Sequence, residues 1–370
     1  MRRAGRTRNQ ADGRGVSIPT RLVVARYVAG LVMLAAVAAS STSASTAPRP
    51  LVGVPLRGAT HLLLLVASNP PYLLDVDTGQ RTRVSGLKLG SHSVLGVSAV
   101  GNDALIHVYR ADRGRSYQII YVLRQGETHA MRLATASQAA SSADGSAVWL
   151  KSYADATHCT VRVVALDGTE RQSPRAIACS AELVEAGSKA VLLDGDSVLD
   201  PSTGTTLVNA PRLVALTRDL AVTSDGSQSP ITVADLRTGE RWRLRYPSRI
   251  GGQGGMGSGT VHPSGRFVAI EFGDPAYHFT GTQVIDIWLL DLATRRLREL
   301  PDTPAAVSLK FTSMQWTSDG RLVILAETAE RTVVAVWRPG RKRIRVRPVR
   351  IPQRNSGSDS FVAWVTSTRR

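Results

Sequence analysis

From Leu51 onward, hydrophobic residues fall in short runs, mostly of five to eight, each closed by Gly, Asp, Asn or Pro. No stretch sustains the 3.6-residue period of an amphipathic helix, so the pattern predicts strands separated by tight turns. Residues 309–347 show the unit whole. A strand-like run (309–316) meets a Ser318-Asp319-Gly320 turn, and an apolar run (321–326) leads through a polar loop to a second (332–337). A Pro339-Gly340 turn then opens a run in which basic and aliphatic residues alternate (342–347). Four strands joined by three tight connections make a meander with open edges and little core, which must stack on copies of itself.

The copies are visible in two alternating turn landmarks. One follows a hydrophobic run: DVDTGQ (75–80), RQGE (124–127), LDGTE (166–170), DPSTGT (200–205), DLRTGE (235–240), DLATRR (291–296) and WRPGRK (337–342). The other precedes one, clearly as SADGS (142–146), HPSGR (262–266) and TSDGR (317–321), and in degraded form at 57–60, 101–103, 185–189 and 217–219. Each kind occurs seven times. Successive members of the first kind lie 35 to 55 residues apart, scattered around the roughly 40–45 residues of a four-stranded propeller blade.

TSDGRLVIL and HPSGRFVAI, and less closely SADGSAVWL, resemble the Ser-Pro-Asp-Gly-Arg motif of WD40-like and TolB-like bacterial propeller repeats. The resemblance spans about residues 51–365 and marks blades, not an activity. The histidine and Trp-Asp pair of true WD40 blades is missing, which favours the looser bacterial type. The expected fold is all-β, a seven-bladed β-propeller of four-stranded antiparallel blades, with one more strand near 359–365 that pairs with the first blade and closes the ring.

The formal charge of +17 is partly a leader effect. Residues 1–44 hold seven arginines and one acid, leaving 39 basic against 28 acidic residues in the remainder. The apolar run 27–39 behind that basic region has the grammar of a secretory signal or, extended back to Leu22, of a membrane anchor. Both alternatives stay open. The expected organisation is therefore a signal peptide or anchor (1–44), a short linker (45–50) and a propeller (51–370), placed outside the cytoplasm as a secreted protein or one anchored through residues 22–39.

Candidate chemistry is sparse. Cys159 and Cys179 flank one hairpin turn, and in an exported protein that placement predicts a disulfide. Asp194, Asp196 and Asp200 lack the glutamate that closes an EF-hand loop, so turn chemistry explains them and no metal site is expected. Gly252, Gly254 and Gly257 satisfy G-x-G-x-x-G, yet a β unit follows where a dinucleotide site needs a helix, and no cofactor is expected. The seven histidines are dispersed, with His262 in a turn.

In a propeller the loop leading into a blade and the loop between its second and third strands share a face. That rule gathers Gly254, Gly257, Asp274, Tyr277 and His278 with Arg113 and Tyr153 from other blades, from the loops 109–118 and 151–158, as a ligand or partner face. The run 337–354 has no acid, and Arg343, Arg345 and Arg347 would point one way along a strand, toward an anionic lipid or wall polymer or simply as an edge guard. Nucleic acid is not expected, since no stacking aromatics interleave the arginines. The functional expectation is a non-enzymatic scaffolding module with a protein partner at the cell envelope. Its alternative is a propeller hydrolase or lyase acting on extracellular or cell-wall carbohydrate, which would require acids or histidines converging at the channel.

Overall fold

The computed structural model describes residues 49–366 apart from 52, 91–94, 113–114, 156, 188, 227–228, 246–254, 275–281, 309–311, 329–330 and 352–359. Among these residues the chain folds into seven antiparallel sheets arranged as the blades of a propeller. The innermost strands, in blade order, are Phe361–Val365, Leu95–Val100, Gln138–Ser141, Glu182–Ala186, Arg212–Leu216, Gly255–Val261 and Thr312–Trp316. Each contacts the next around the ring. Blades 6 and 7 carry extra outer strands: Ala305–Ser308 and Arg49–Pro50 on blade 6, and Val54–Pro55, parallel to Arg345–Pro348, on blade 7.

Closure is the work of the C-terminal strand. Phe361–Val365 pairs antiparallel with Leu62–Val66, from Leu62 opposite Val365 to Val66 opposite Phe361, and becomes the inner strand of blade 1. The expected closing strand is thus in place. One face of blade 1 packs Leu65, Leu73 and Trp364 against Ile106 and Tyr121 of blade 2. Its other face packs Leu64 and Leu74 against Val323 and Val334 of blade 7. Burial of both faces of the middle strands explains why runs such as Leu322–Glu327 read as continuous apolar residues, not as alternation.

The repeated turns owe their sequence to backbone chemistry. In DVDTGQ, DPSTGT and DLRTGE the aspartate side chain (Asp75, Asp200, Asp235) accepts hydrogen bonds from the next two available backbone N–H groups. The glycine that follows (Gly79, Gly204, Gly239) takes φ between 71° and 77°, a left-handed conformation open to glycine at little cost. In DLATRR that slot holds Arg295, at φ 55°. Its guanidinium lies 4.4 Å over the Trp242 ring and bonds Glu240, contacts that offset the conformational cost.

Some boundaries move. The strand expected at 342–347 is Arg345–Pro348, and Arg343 precedes it. The degraded landmark 185–189 divides between the end of an inner strand, Glu182–Ala186, and a turn at Gly187. The expected signal or anchor, 1–44, lies outside the described residues, among which no helix is long and apolar enough to cross a membrane.

Candidate functional site

Innermost strands have one edge without a strand partner, facing the channel, and the backbone groups there need other partners. Side chains from adjacent blades supply them. Gln138 Oε1 accepts from Leu183 N, Gln315 Oε1 from Ala363 N and Ser360 Oγ from Val97 N, each at 2.8 Å. Ser141 Oγ donates to the Ala99 carbonyl at 2.6 Å, and Trp316 Nε1 to the Thr260 carbonyl at 3.0 Å. These cross-blade bonds fix the inner strands that carry the polar groups of interest.

In blade 2 a polar relay runs outward from the channel across three strands. Ser98, partly exposed on Leu95–Val100, places Oγ 3.0 Å from His107 Nε2. His107, buried in the middle strand Asp103–Asp112, places Nδ1 3.0 Å from Gln118 Oε1 on Arg115–Leu123. The Gln118 oxygen accepts the Nδ1 proton, so Nε2 is left with its lone pair toward the serine hydroxyl. Burial lowers the His107 pKa below its ordinary 6.5, partly countered by Gln118, which keeps the ring neutral at neutral pH. Nearby, Tyr109 lays its ring over Gly96, where any Cβ would stand 3.2 Å from the phenol oxygen.

A carboxyl stands on the next strands round the ring. Ser141 Oγ, already 2.6 Å from the Ala99 carbonyl beside Ser98, also lies 2.8 Å from Glu185 Oε2. Glu185 keeps exposed surface on Glu182–Ala186, but desolvation by the protein around its carboxyl pushes it up to about 7. Glu271 on Phe267–Asp274 is pushed up to about 7 in the same way. Gly257 on the inner strand of that blade lacks the side chain that would cover it, its would-be Cβ lying 3.5 Å from Glu271 Cβ.

The residues expected to form a ligand face divide differently. Gly254, Arg113, Tyr277 and His278 lie outside the described residues, and Asp274 ends the strand Phe267–Asp274. Gly257 belongs to an inner strand and not to a loop. Tyr153 is 43% exposed at the end of Ala147–Tyr153. Lys151, expected in a projecting loop, is buried in that strand, with Nζ held by the carbonyls of Cys179 and Ala181.

Cys159 and Cys179 form the expected disulfide, which fits an oxidising, extracytoplasmic environment. The three arginines of the basic run part company. Arg343 pairs with Asp302, and Arg345 is exposed without a carboxylate partner among the described residues. Arg347 turns inward, bonding Asp77 and the carbonyls of Val76, Leu56 and Gly58.

The relay residues escaped the sequence reading, although His107 carried a signal. DALIHVYRAD places one imidazole amid a central apolar strand, where a buried polar ring needs partners. Nothing in the sequence specifies that those partners are Ser98 and Gln118, because the register between strands decides it.

No protein-family model matches the chain, and no curated protein matches it. Solved structures do. A protein from Lactobacillus plantarum is similar over 81% of this chain and 99% of its own, at 13% identity and a TM-score of 0.50. Prolyl oligopeptidase B from Galerina marginata, bound to a 35mer hydrolysis and macrocyclization substrate, is similar over 79% of this chain at 12% identity and a TM-score of 0.50. This chain spans 48% of that enzyme's length. The β-propeller domain of the Trilobed protease from Pyrococcus furiosus covers 80% of this chain and 94% of its own, at 10% identity and a TM-score of 0.49. The likeness is one of fold, which supports the expected seven-bladed β-propeller and does not show the WD40-like or TolB-like kinship. The expectation of a non-enzymatic scaffold is corrected to this extent: a solved structure that shares the fold at a TM-score of 0.50, prolyl oligopeptidase B, is a propeller-bearing enzyme bound to a hydrolysis substrate.

Proposed function

We propose that the chain is a hydrolase acting outside the cytoplasm, delivered there through residues 22–39, and that its reaction is acyl transfer to water at the channel side of blade 2. The observation that carries this reading is the Ser98–His107–Gln118 relay: a nucleophile in hydrogen-bond reach of a base that a third group orients. As Ser98 Oγ attacks an ester or amide carbonyl, His107 Nε2 takes the hydroxyl proton and then delivers it to the leaving group. Water, deprotonated by the same nitrogen, releases the acid and restores Ser98. Gln118 fixes the tautomer but, being neutral, stabilises the imidazolium less than a carboxylate would.

A second reading, cleavage of a glycosidic bond, is supported by Glu185, whose raised pKa keeps a proton available near neutrality. One experiment separates the two. The full chain is assayed against nitrophenyl esters, peptide anilides and nitrophenyl glycosides, beside Ser98→Ala and Glu185→Gln variants with circular dichroism to verify folding. The acyl-transfer reading expects ester or amide turnover lost in folded Ser98→Ala and kept in Glu185→Gln. Its kcat/KM should fall only as pH drops below the ordinary histidine range, because His107 must be neutral to act. Turnover unchanged in Ser98→Ala, or none on any substrate, removes it.

A further inference from the structure

The basic run supplies something that the proposed reaction does not use. A cavity of about 220 Å³ lies between blade 7 and the segment that leads from its outermost strand, Val54–Pro55, into blade 1. Six arginines line it: Arg57, Arg321, Arg338, Arg341, Arg343 and Arg345. No acid lines it. Two carboxylates at its margin serve three of the six, Asp319 taking Arg321 and Arg338, and Asp302 taking Arg343. Among the described residues, Arg57, Arg341 and Arg345 have no carboxylate within ion-pair distance, so positive charge is in excess around the open cavity.

The floor of the cavity is built, not incidental. Arg321 is 8% exposed and anchored, with Nε on Asp319 at 2.9 Å and Nη1 on the Thr60 carbonyl at 2.6 Å. Those bonds use two of its five N–H groups and leave the fork oriented. The wall is rigid because Leu56 N bonds the Val346 carbonyl and Trp337 Nε1 bonds the Arg341 carbonyl. Three solvent-exposed, unpaired guanidiniums around the buried and anchored Arg321 make a positive field that favours an anion. Arginine forks match the oxygens of a phosphate group bidentately.

We propose that this cavity binds a phosphate or diphosphate group, with Arg321 at the floor and Arg57, Arg341 and Arg345 closing over the oxygens. The assignment narrows the expected anionic contact. It keeps Arg345 and, paired with Asp302, Arg343, excludes Arg347, whose guanidinium is committed to Asp77, and adds Arg57, Arg321, Arg338 and Arg341. The phosphate can belong to a soluble organic phosphate or to a lipid headgroup.

The test is titration calorimetry of the full chain with sodium pyrophosphate at low ionic strength, with sodium sulfate as a control. The variants are Arg341→Gln/Arg345→Gln and, for equal loss of charge elsewhere, Arg241→Gln/Arg243→Gln on the outer strand of blade 5. The expected result is saturable pyrophosphate binding, weakened at least about tenfold in the cavity variant and within about twofold in the blade 5 variant. Equal weakening in both variants shows binding to net charge and overturns the proposal, as does the absence of saturable binding. Vesicles of phosphatidylcholine with and without phosphatidylglycerol distinguish the source. Sedimentation with anionic vesicles that pyrophosphate reverses points to a headgroup, whereas pyrophosphate binding without sedimentation points to a soluble phosphate. Sedimentation that pyrophosphate does not reverse, in a chain that fails to bind pyrophosphate, overturns the cavity as the site.

Discussion

Ser141 and Glu185 are hydrogen-bonded across the junction of blades 3 and 4: Ser141 Oγ lies 2.8 Å from Glu185 Oε2 and 2.6 Å from the Ala99 carbonyl oxygen. A hydroxyl has one hydrogen, and a carbonyl can only accept. The Ala99 carbonyl and the Glu185 carboxyl therefore compete for the one Ser141 proton, and its bond to Glu185 offsets only part of the desolvation that favours the protonated acid. With its pKa pushed from 4.5 to about 7, Glu185 keeps its proton in the native state at pH values where the unfolded chain has lost it. Stability then falls as pH rises from about 4.5 to about 7 and is level above that range. Glu185→Gln retains a donor and cannot titrate. Urea unfolding at pH 5 and pH 7.5 should show the parent losing stability relative to Glu185→Gln over that interval, and parallel behaviour of the two would refute the raised carboxyl pKa.

The Cys159–Cys179 bridge closes a loop with a sequence separation of 20. Constraining the unfolded chain by a loop of that length contributes about 3 kcal/mol. Replacing both cysteines by serine should lower the denaturant midpoint by a corresponding amount with the m-value nearly unchanged. A loss well under about 1 kcal/mol would mean that the neighbouring strands already hold the loop in the unfolded ensemble.

Lys151 is 4% exposed, and its ammonium satisfies the carbonyls of Cys179 and Ala181 on the segment leading from blade 3 into blade 4. Lys151→Met preserves most of the volume but strands the buried Ala181 carbonyl, at about 1–3 kcal/mol, and the partly buried Cys179 carbonyl at less. The predicted cost exceeds that of an exposed substitution such as Lys342→Met, which should fall within about 0.5 kcal/mol of the parent. Thermal denaturation of both variants decides it.

Trp364 is 5% exposed and packs between blades 1 and 2 on the strand that closes the ring. Trp364→Ala should cost about 3–5 kcal/mol by cavity formation. Because the closing strand joins the two ends of the domain, the damage should also spread. Hydrogen exchange is expected to accelerate in Leu62–Val66 and Tyr72–Asp75, the strands it shields. Faster exchange confined to the substituted strand would show that the ring holds without it.

The sequence by itself determined the repeat and therefore the fold class. Turn residues act locally: Asp75, Asp200 and Asp235 each bind backbone N–H groups two and three residues on, and glycine takes the positive φ that follows in those turns. Such chemistry is written in consecutive positions, so all seven blades were legible, as was the disulfide from two cysteines flanking one turn. Tertiary structure alone decided the sites. Ser98, His107 and Gln118 meet because register aligns three strands, and Ser141 meets Glu185 because one blade stands beside the next. Arg57 joins five arginines of blade 7, Arg321 to Arg345, because the start of the domain lies against its last blade. Contacts between residues far apart in sequence leave no local pattern, whereas the physical need that drives them does show: His107 and Arg321 are polar groups in positions that the repeat buries.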